Sequence, residues 1–185
     1  MELSGQLTLA EHVLPAAAEL DLLPSDAFVE RVAPLFEDAR AFVARLAARR
    51  PFRTDDGLLA AARETALGMP AEDQRRLLDA HPRIGAAPET MSDLSRGEQG
   101  AADPAAGGRS IASELAELNE AYEERFGFRF VIFVAGQSRS QIVPLLEQAL
   151  RSDPEVELRR GLEDALRIAA DRLGRLPRTT EAVVR

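Results

Sequence analysis

Cysteine is absent from this sequence, and its absence excludes several kinds of chemistry at once. A chain without thiols forms no disulfide, binds no metal through thiolates and has no cysteine nucleophile. Histidine is almost as scarce, because the 185 residues include only His12 and His81. The His-Glu-x-x-His zinc motif is missing, and two histidines so far apart argue against a histidine-rich metal site. We therefore expect chemistry that uses neither a metal nor a thiol and that depends on His81, and we assign no role to His12.

Long apolar runs and a surplus of positive charge are also missing. No apolar run approaches the roughly 18 residues that a membrane-spanning helix needs. Lysine and arginine total 23 against 31 acidic residues, a net charge of −8, which argues against nucleic acid as a partner because phosphate binding needs a basic surface. A small anionic substrate is not excluded, since one site can be locally basic. Residues 1–14 do not resemble a secretory signal, so we expect no membrane association and a cytoplasmic location.

Alanine and leucine are abundant, and apolar residues recur at the spacing of one helix face along most of the chain. Helix starts are indicated at Thr54, Ser110 and Asp153, whose side chains can accept hydrogen bonds from a first helical turn. We predict an all-α fold, a single compact domain over residues 1–185 with about seven to nine helices. Residues 1–24 are poorly periodic, and we expect part of them to form a loosely packed arm.

The segment from Phe128 to Val134 is the exception, because it is β-branched or aromatic at every position but one. It resembles a β-strand, yet the chain contains no second segment with which it could pair. An unpaired strand leaves backbone groups unsatisfied when it is buried. We expect an extended or irregular buried segment, or a helix of low propensity, whose exposed N–H and C=O groups could bind a ligand. Ser138 or Ser140 caps the next helix, and Pro144 fits its first turn if the cap is Ser140 or a later residue.

The most informative stretch of the chain runs from His81 to Gln99. His81 stands at an expected helix end, where Pro82 follows it directly. Ser95 and Glu98 are three positions apart, so they share one face of a short helix. Histidine titrates near neutral pH, and a histidine held beside a carboxylate is a natural proton-transfer pair. The residues alone leave a second interpretation open, in which His81 is a structural residue and Glu98 lies on a solvated helix face.

Several motifs follow one another here in an order and at a spacing typical of one family. They are His81-Pro82-x-x-Gly85, Ser95-x-x-Glu98-Gln99 and Leu118-Asn119-x-x-Tyr122-x-x-x-Phe126-Gly127-Phe128-x-Phe130. Two more fit the same pattern at either side, Arg50-Pro51-Phe52 and Ile168-x-x-x-Arg172-Leu173. Together they resemble 2-oxo-4-hydroxy-4-carboxy-5-ureidoimidazoline (OHCU) decarboxylase, and the resemblance extends from about Phe28 to Leu173.

The resemblance implies an all-helical, cofactor-free and commonly dimeric enzyme. Its reaction would be the decarboxylation of OHCU, a small anionic heterocycle, to (S)-allantoin in the degradation of uric acid. The carbon that loses CO2 lies next to a ring C=N bond, which can accept the electron pair without help from a cofactor. The protein need only orient the carboxylate and deliver a proton to one face of the ring.

The resemblance also implies a role for each residue that matches the family motifs. His81 would be the proton donor, and Glu98 would orient the imidazole or the substrate. Arg172 would contact the carboxylate or a ring oxygen, with Arg151 as the alternative. Further substrate contacts would come from side chains and from the backbone of the strand-like segment: Pro82, Ser95, Gln99, Phe130, Val131, Ile132, Phe133 and Val134.

The chain departs from the family pattern near this stretch. It has Arg83-Ile84 where the family often has Asp-Leu, and Arg129 where the family often has proline. An extra charge beside His81 could alter the pKa of its imidazole. Two other functions stay open on the sequence, a non-catalytic helical scaffold or ligand-binding protein and a relative that acts on another ureide. A cavity between His81 and Glu98 would favour the enzyme.

Overall fold

Nine α-helices and one 3-10 helix form the regular structure of the residues that the computed structural model describes, 13–86, 91–98 and 110–177. No β-strand occurs in these ranges, and the predicted all-α fold is confirmed. Over the same ranges, no helix is long and apolar enough to cross a membrane. In chain order the helices are α1 (Ala17–Leu20), α2 (Ser25–Val32), the 3-10 helix (Ala33–Phe36), α3 (Arg40–Ala47), α4 (Asp55–Gly68), α5 (Ala71–Asp79), α6 (Asp93–Glu98), α7 (Ile111–Phe126), α8 (Arg139–Ala149) and α9 (Pro154–Arg175).

The described chain begins at residue 13 with closely packed residues, and the loosely packed arm expected within residues 1–24 stays a prediction. Leu14 and Leu20 are buried in the core, and the N–H of Leu14 donates to the carbonyl of Pro177 at 3.0 Å. The carboxylate of Asp21 accepts the N–H of Phe52 at 2.8 Å. Because α1 has only four residues, it shows no helical periodicity in the sequence although it packs tightly. Residues 1–12 lie outside the described ranges.

Pro34 interrupts the helical run that begins at Ser25, as its missing N–H predicts. α2 ends at Val32, and the chain continues as the 3-10 helix. The next residue, Glu37, has a φ of 50° in the left-handed region, which is uncommon for a residue that carries a side chain. The Glu37 side chain is only 5% exposed, so this turn carries a carboxylate into the fold.

α9 is the helix around which much of the fold packs, because it contacts α4, α5 and the 3-10 helix. Asp153 caps its start as predicted, accepting a first-turn N–H at 3.0 Å. α5 approaches closely because residue 161 is glycine, where an added Cβ would lie 3.1 Å from Leu78 Cδ1. α9 also brings three charged residues into the interior, Glu157, Asp164 and Arg172.

α7 and α8 pack against each other and are joined by an irregular connection. Gly127, at φ 73°, ends α7 in the left-handed conformation that glycine adopts without strain. α8 begins after Ser138, where Ser138 and Gln141 form a capping box. Pro144 is therefore inside α8 and not in its first turn, because the reciprocal cap fixes the helix start two residues earlier than Ser140 would.

The segment from Phe128 to Val134 is extended and irregular, as predicted from its lack of a partner strand. Side chains take the place of a neighbouring strand by bonding its backbone groups. The N–H of Arg129 donates to Asp79 at 2.9 Å, the carbonyl of Val131 accepts Arg160 Nη1 at 2.9 Å, and the N–H of Phe133 donates to Asp164. The segment is thus fixed without a sheet.

Aromatic side chains of the third motif form the core behind this segment. Tyr122, Phe126, Phe128 and Phe130 are all buried, and the other three ring centroids lie 4.6, 5.7 and 5.2 Å from that of Tyr122. The hydroxyl of Tyr122 donates to Glu157 at 2.8 Å, and burial, with the nearby Glu157 charge, raises its pKa well above the ordinary value. These aromatic residues therefore form part of the hydrophobic core.

Candidate active site

A cavity of about 500 Å³ lies between α9, α6, the end of α5 and the extended segment. Its volume is that of a small-molecule site. Every residue that the sequence predicted for the site lines it, with two exceptions: Gln99 lies outside the described ranges, and the alternative Arg151 is exposed and does not line it. The lining residues are His81, Pro82, Ile84, Ser95, Glu98, Phe130, Val131, Ile132, Phe133, Val134, Ala135, Gly136, Ile168, Asp171, Arg172 and Arg175.

His81 is fixed at the end of α5 by one hydrogen bond. Its side chain is buried, and Nδ1 lies 3.2 Å from the carbonyl oxygen of Leu77. A carbonyl only accepts, so Nδ1 carries the proton and Nε2 carries a lone pair. Nε2 is buried and has no hydrogen-bond partner among the described residues. A molecule in the cavity would find an unoccupied acceptor there.

The electrostatic surroundings keep the His81 imidazole neutral. Burial is the largest cause that lowers its pKa, and the cations of Arg172 and Arg129 add to it. The charge of Glu37 and the Leu77 hydrogen bond oppose them, and the net result is a pKa of about 4. At neutral pH, His81 is therefore a proton acceptor in the free protein and not a loaded donor.

Arg172 is the centre of a buried ion network. Its side chain is 1% exposed, and it donates from Nε and Nη2 to both oxygens of Glu98, at 2.8 Å each. Nη1 donates to the carbonyls of Pro34 and Leu35 at 3.1 and 3.3 Å. Nη2 also reaches Glu37 and, at 3.1 Å, the hydroxyl of Ser95. Six acceptors surround five N–H groups, so Arg172 has no donor left for a bound molecule.

Glu37 is the member of this network that the sequence did not reveal. Its carboxylate accepts from both Arg172 and the hydroxyl of Ser95. Burial alone would raise its pKa, but the Arg172 charge and these hydrogen bonds lower the pKa below the ordinary value. The only signal in the sequence was a glutamate directly after the apolar pair Leu35-Phe36, close behind Pro34. That signal does not separate a buried acid from a surface one.

Glu98 and Ser95 face the network and not the imidazole. Glu98 bonds Arg172 as described and also accepts from Arg175 Nη2 at 3.3 Å, while the carbonyl of Leu77 holds the His81 ring. The expectation that Glu98 orients the imidazole is therefore not met, which leaves the substrate as the group that it could orient. The single hydroxyl proton of Ser95 is donated to Glu37.

The extended segment forms one wall of the cavity, and the backbone N–H and C=O groups of successive residues point to opposite sides of it. Arg160 and Asp164 bond the backbone of Val131 and Phe133 on the α9 side. Along an extended chain, backbone groups of alternate residues point to opposite sides. The N–H and C=O of Ile132 consequently point away from these two partners.

The two arginines that depart from the family pattern behave differently from each other. Arg83 forms a two-pronged ion pair with Glu123, at 2.8 and 2.7 Å, and its charge is not among the causes of the His81 pKa shift. Arg129 instead donates from Nη1 to the carbonyl of His81 at 2.8 Å. The expected influence of an added charge on His81 therefore comes from Arg129.

A buried histidine whose Nε2 is unpaired among the described residues, in a cavity of small-molecule size on an all-α scaffold, has the features of a small-molecule site. Within the described residues, no group of three or more histidine, aspartate or glutamate side chains is arranged to hold a metal ion. The family model of OHCU decarboxylase matches residues 21–174. The chain belongs to the OHCU decarboxylase family.

Individual relatives agree with this assignment. The chain is 32% identical over 155 residues to the 2-oxo-4-hydroxy-4-carboxy-5-ureidoimidazoline decarboxylase of Haloferax volcanii, covering 84% of this chain and 92% of that protein. It is also 32% identical over 155 residues to the uric acid degradation bifunctional protein PucL of Bacillus subtilis, which corresponds to 84% of this chain and 31% of the longer protein.

Two solved structures resemble the fold. One is a crystal structure of OHCU decarboxylase in the presence of (S)-allantoin, with 25% identity and a TM-score of 0.57, covering 72% of this chain and 88% of that one. The other is a crystal structure of (S)-allantoin synthase, with 20% identity and a TM-score of 0.60, covering 87% of this chain and 54% of that one. At that identity the second likeness concerns the fold alone.

The buried state of His81 makes stability dependent on pH. Its folded-state pKa of about 4 lies below the ordinary 6.5, so between these values the unfolded chain binds a proton that the folded chain does not. Stability from this group is complete above pH 6.5 and is lost as the pH falls toward 4. We expect the free energy of unfolding to drop by about 2 kcal/mol more in wild type than in His81→Asn between pH 7 and pH 5. Equal losses, measured by urea unfolding, would contradict the pKa.

The Arg172 network predicts a large effect of removing the guanidinium. Arg172→Met leaves the buried Glu37 without its cation and leaves Glu98 with only the 3.3 Å contact to Arg175, which should cost about 3–5 kcal/mol of unfolding free energy. Arg167→Met, on the same helix and 69% exposed, is the matched control and should change the value by under about 1 kcal/mol. Urea titration at pH 7 gives both numbers. Similar values for the two variants would show that Arg172 does not hold the site together.

Proposed function

We propose that this chain decarboxylates OHCU to (S)-allantoin in the degradation of uric acid, without a cofactor and with His81 as its proton-transfer residue. Membership of the OHCU decarboxylase family supports the reaction. The single structural observation that carries the assignment of His81 is its buried Nε2, which faces no partner among the described residues although the side chain lines the cavity. Buried polar atoms are normally satisfied, and an exception points to a functional role.

The substrate's own structure determines what the protein must do. One ring carbon carries a hydroxyl and a carboxylate, and the adjacent carbon carries the ureido group beside a C=N bond. When the carboxylate leaves as CO2, its electron pair forms a C=C bond between the two carbons. The C=N pair passes to the ring nitrogen, which takes a proton from solvent. The hydroxyl then loses its proton to become a carbonyl, and the ring carbon that bears the ureido group gains a proton. Overall, one proton is consumed for each CO2 released.

His81 suits the second half of this reaction, in which the hydroxyl loses a proton and a ring carbon gains one. A neutral imidazole with Nε2 unprotonated can accept the hydroxyl proton and deliver it to the ring carbon that bears the ureido group. The pKa of about 4 means that His81 acts first as acceptor and only then as donor. A single buried residue on one side of the ring delivers the proton to one face, so one enantiomer is formed. This order refines the donor role that the family resemblance implies.

The remaining residues position the ring. Glu98, held by Arg172 through two 2.8 Å hydrogen bonds, offers a carboxylate in a fixed orientation to the N–H groups of the ureido group. Ile132 offers a backbone N–H and C=O on the side of the segment away from α9. Arg172 acts through Glu98 and Glu37, because its own donors are occupied. Pro82, Phe130 and Val134 supply apolar walls.

Stereochemistry provides the test of this function. OHCU is generated in solution from uric acid by uricase and hydroxyisourate hydrolase, the protein is added, and the circular dichroism of allantoin is followed. Spontaneous decay gives a racemic product, so we expect a faster reaction and an (S) signal with the protein present. A protein that changes neither the rate nor the handedness would exclude the decarboxylase, whatever the structure of its cavity.

His81→Asn separates the mechanism from the function. We expect the enzymatic rate to fall by about 10²–10⁴-fold, the usual contribution of a positioned acid or base. His12→Asn is the matched control at the other histidine and should keep wild-type activity. Circular dichroism and urea unfolding at pH 7 check that both variants fold. Full activity in His81→Asn would leave the decarboxylase in place and refute the role of His81.

We also infer a homodimer, which the family resemblance implies, and a cytoplasmic location, which we expect from the sequence. Equilibrium sedimentation of the full chain should give twice the 20.1 kDa mass of one chain. Fractionation of the source cells should recover the OHCU-consuming activity with the cytoplasmic enzymes. A monomer at working concentration, or activity in a membrane fraction, would overturn the corresponding part of the proposal.

A further inference from the structure

The proposed reaction needs a partner for the substrate's carboxylate, and Arg172 cannot be that partner in this structure. All five of its N–H groups are directed at protein acceptors. A direct contact with a second anion would require breaking a buried pair with Glu98 or Glu37, which is costly. Arg151, the alternative from the sequence, is exposed and does not line the cavity.

Arg175 is the other cation among the described side chains that line the cavity. It is the last residue of α9, one turn beyond Arg172, and its side chain is 54% exposed. Only Nη2 is engaged, shared between Glu98 at 3.3 Å and Asp171. Over the described ranges, Nε and Nη1 have no hydrogen-bond partner. Arg175 thus combines a place at the cavity with donors that a carboxylate can take.

We propose that Arg175 binds the carboxylate of the substrate at the cavity mouth, while Arg172 only positions Glu98 and Glu37. This inference rests on the proposed function, because it assigns the group that the reaction removes. An arginine binds a carboxylate best through two parallel N–H groups, and both such pairs include Nη2. Nε and Nη1 do not form a parallel pair with each other. A two-pronged contact with the substrate therefore requires Nη2 to release Glu98 or Asp171. The weak 3.3 Å contact to Glu98 is the one that yields most easily.

Moderately strong binding of the carboxylate suits a decarboxylase. The carboxylate is charged in the bound substrate and departs as neutral CO2, so a cation beside it stabilises the starting complex more than the transition state. Glu98 and Asp171 offset part of the Arg175 charge, and half of the side chain is in water. Arg175 would therefore attract and orient the anion without holding the leaving group strongly in place.

The kinetic signature follows from this difference. Arg175→Gln should raise the KM for OHCU by about tenfold, the order expected for losing one charged hydrogen-bonded contact, and should leave kcat unchanged or slightly higher. Arg175→Lys, which keeps the charge, should recover part of the loss. Allantoin has no carboxylate, so its inhibition constant should be the same for Arg175→Gln as for wild type.

The experiment measures kcat and KM for OHCU generated in situ, with the spontaneous rate subtracted, and the inhibition constant of allantoin. Arg159→Gln is the matched control, because Arg159 is an exposed arginine on the same helix that does not line the cavity. Raising ionic strength should raise KM in wild type more than in Arg175→Gln, since screening weakens an exposed ion pair.

Three results would overturn the inference. KM could stay unchanged in Arg175→Gln, allantoin binding could weaken as much as OHCU binding, or kcat could fall together with the unfolding free energy, which would indicate a structural role. A wild-type protein without decarboxylase activity is a separate outcome, because it refutes the proposed function before any Arg175 variant is compared.

Discussion

The buried guanidinium of Arg172 is the interaction on which the site depends. Removing an arginine from water is expensive, and only complete hydrogen bonding makes it tolerable. Here the partners come from two separate parts of the chain: the 3-10 helix with Glu37 directly after it, and Glu98 on α6. The same residue therefore joins α9 to two separate segments, and it fixes the position of Glu98.

The charge balance of this network explains the state of His81. Glu37 would favour a charged imidazole, but the burial of the ring and the charge of Arg172 together outweigh it. Because the His81 imidazole is neutral, an anionic substrate can enter the cavity without forming an ion pair with it. The proton for the new C–H bond can then come from the substrate's own hydroxyl. In the proposed reaction, the burial of His81 therefore determines that the imidazole accepts a proton before it donates one.

The sequence predicted those features that depend on local chemistry. The helix starts at Thr54, Ser110 and Asp153 were right because a cap is a short-range interaction. The irregular wall was predicted from the absence of a partner strand. Glu37 could not be found, because its burial depends on a left-handed turn and on an arginine 135 residues away. For the same reason the motif identified Arg172 but not that its donors are all used within the protein.

One face of α9 connects the backbone wall of the cavity with the carboxylate of Glu98. Arg160, Asp164, Ile168 and Arg172 follow one another at intervals of four, which places them on a single stripe of the helix. Arg160 and Asp164 hold the backbone wall, Ile168 lines the cavity, and Arg172 holds Glu98. A shift of α9 along its axis would therefore move the wall and the carboxylate together. The distance between the backbone wall and the Glu98 carboxylate is thus set by one rigid element, which is how an α-helical protein can build a small-molecule cavity without a sheet.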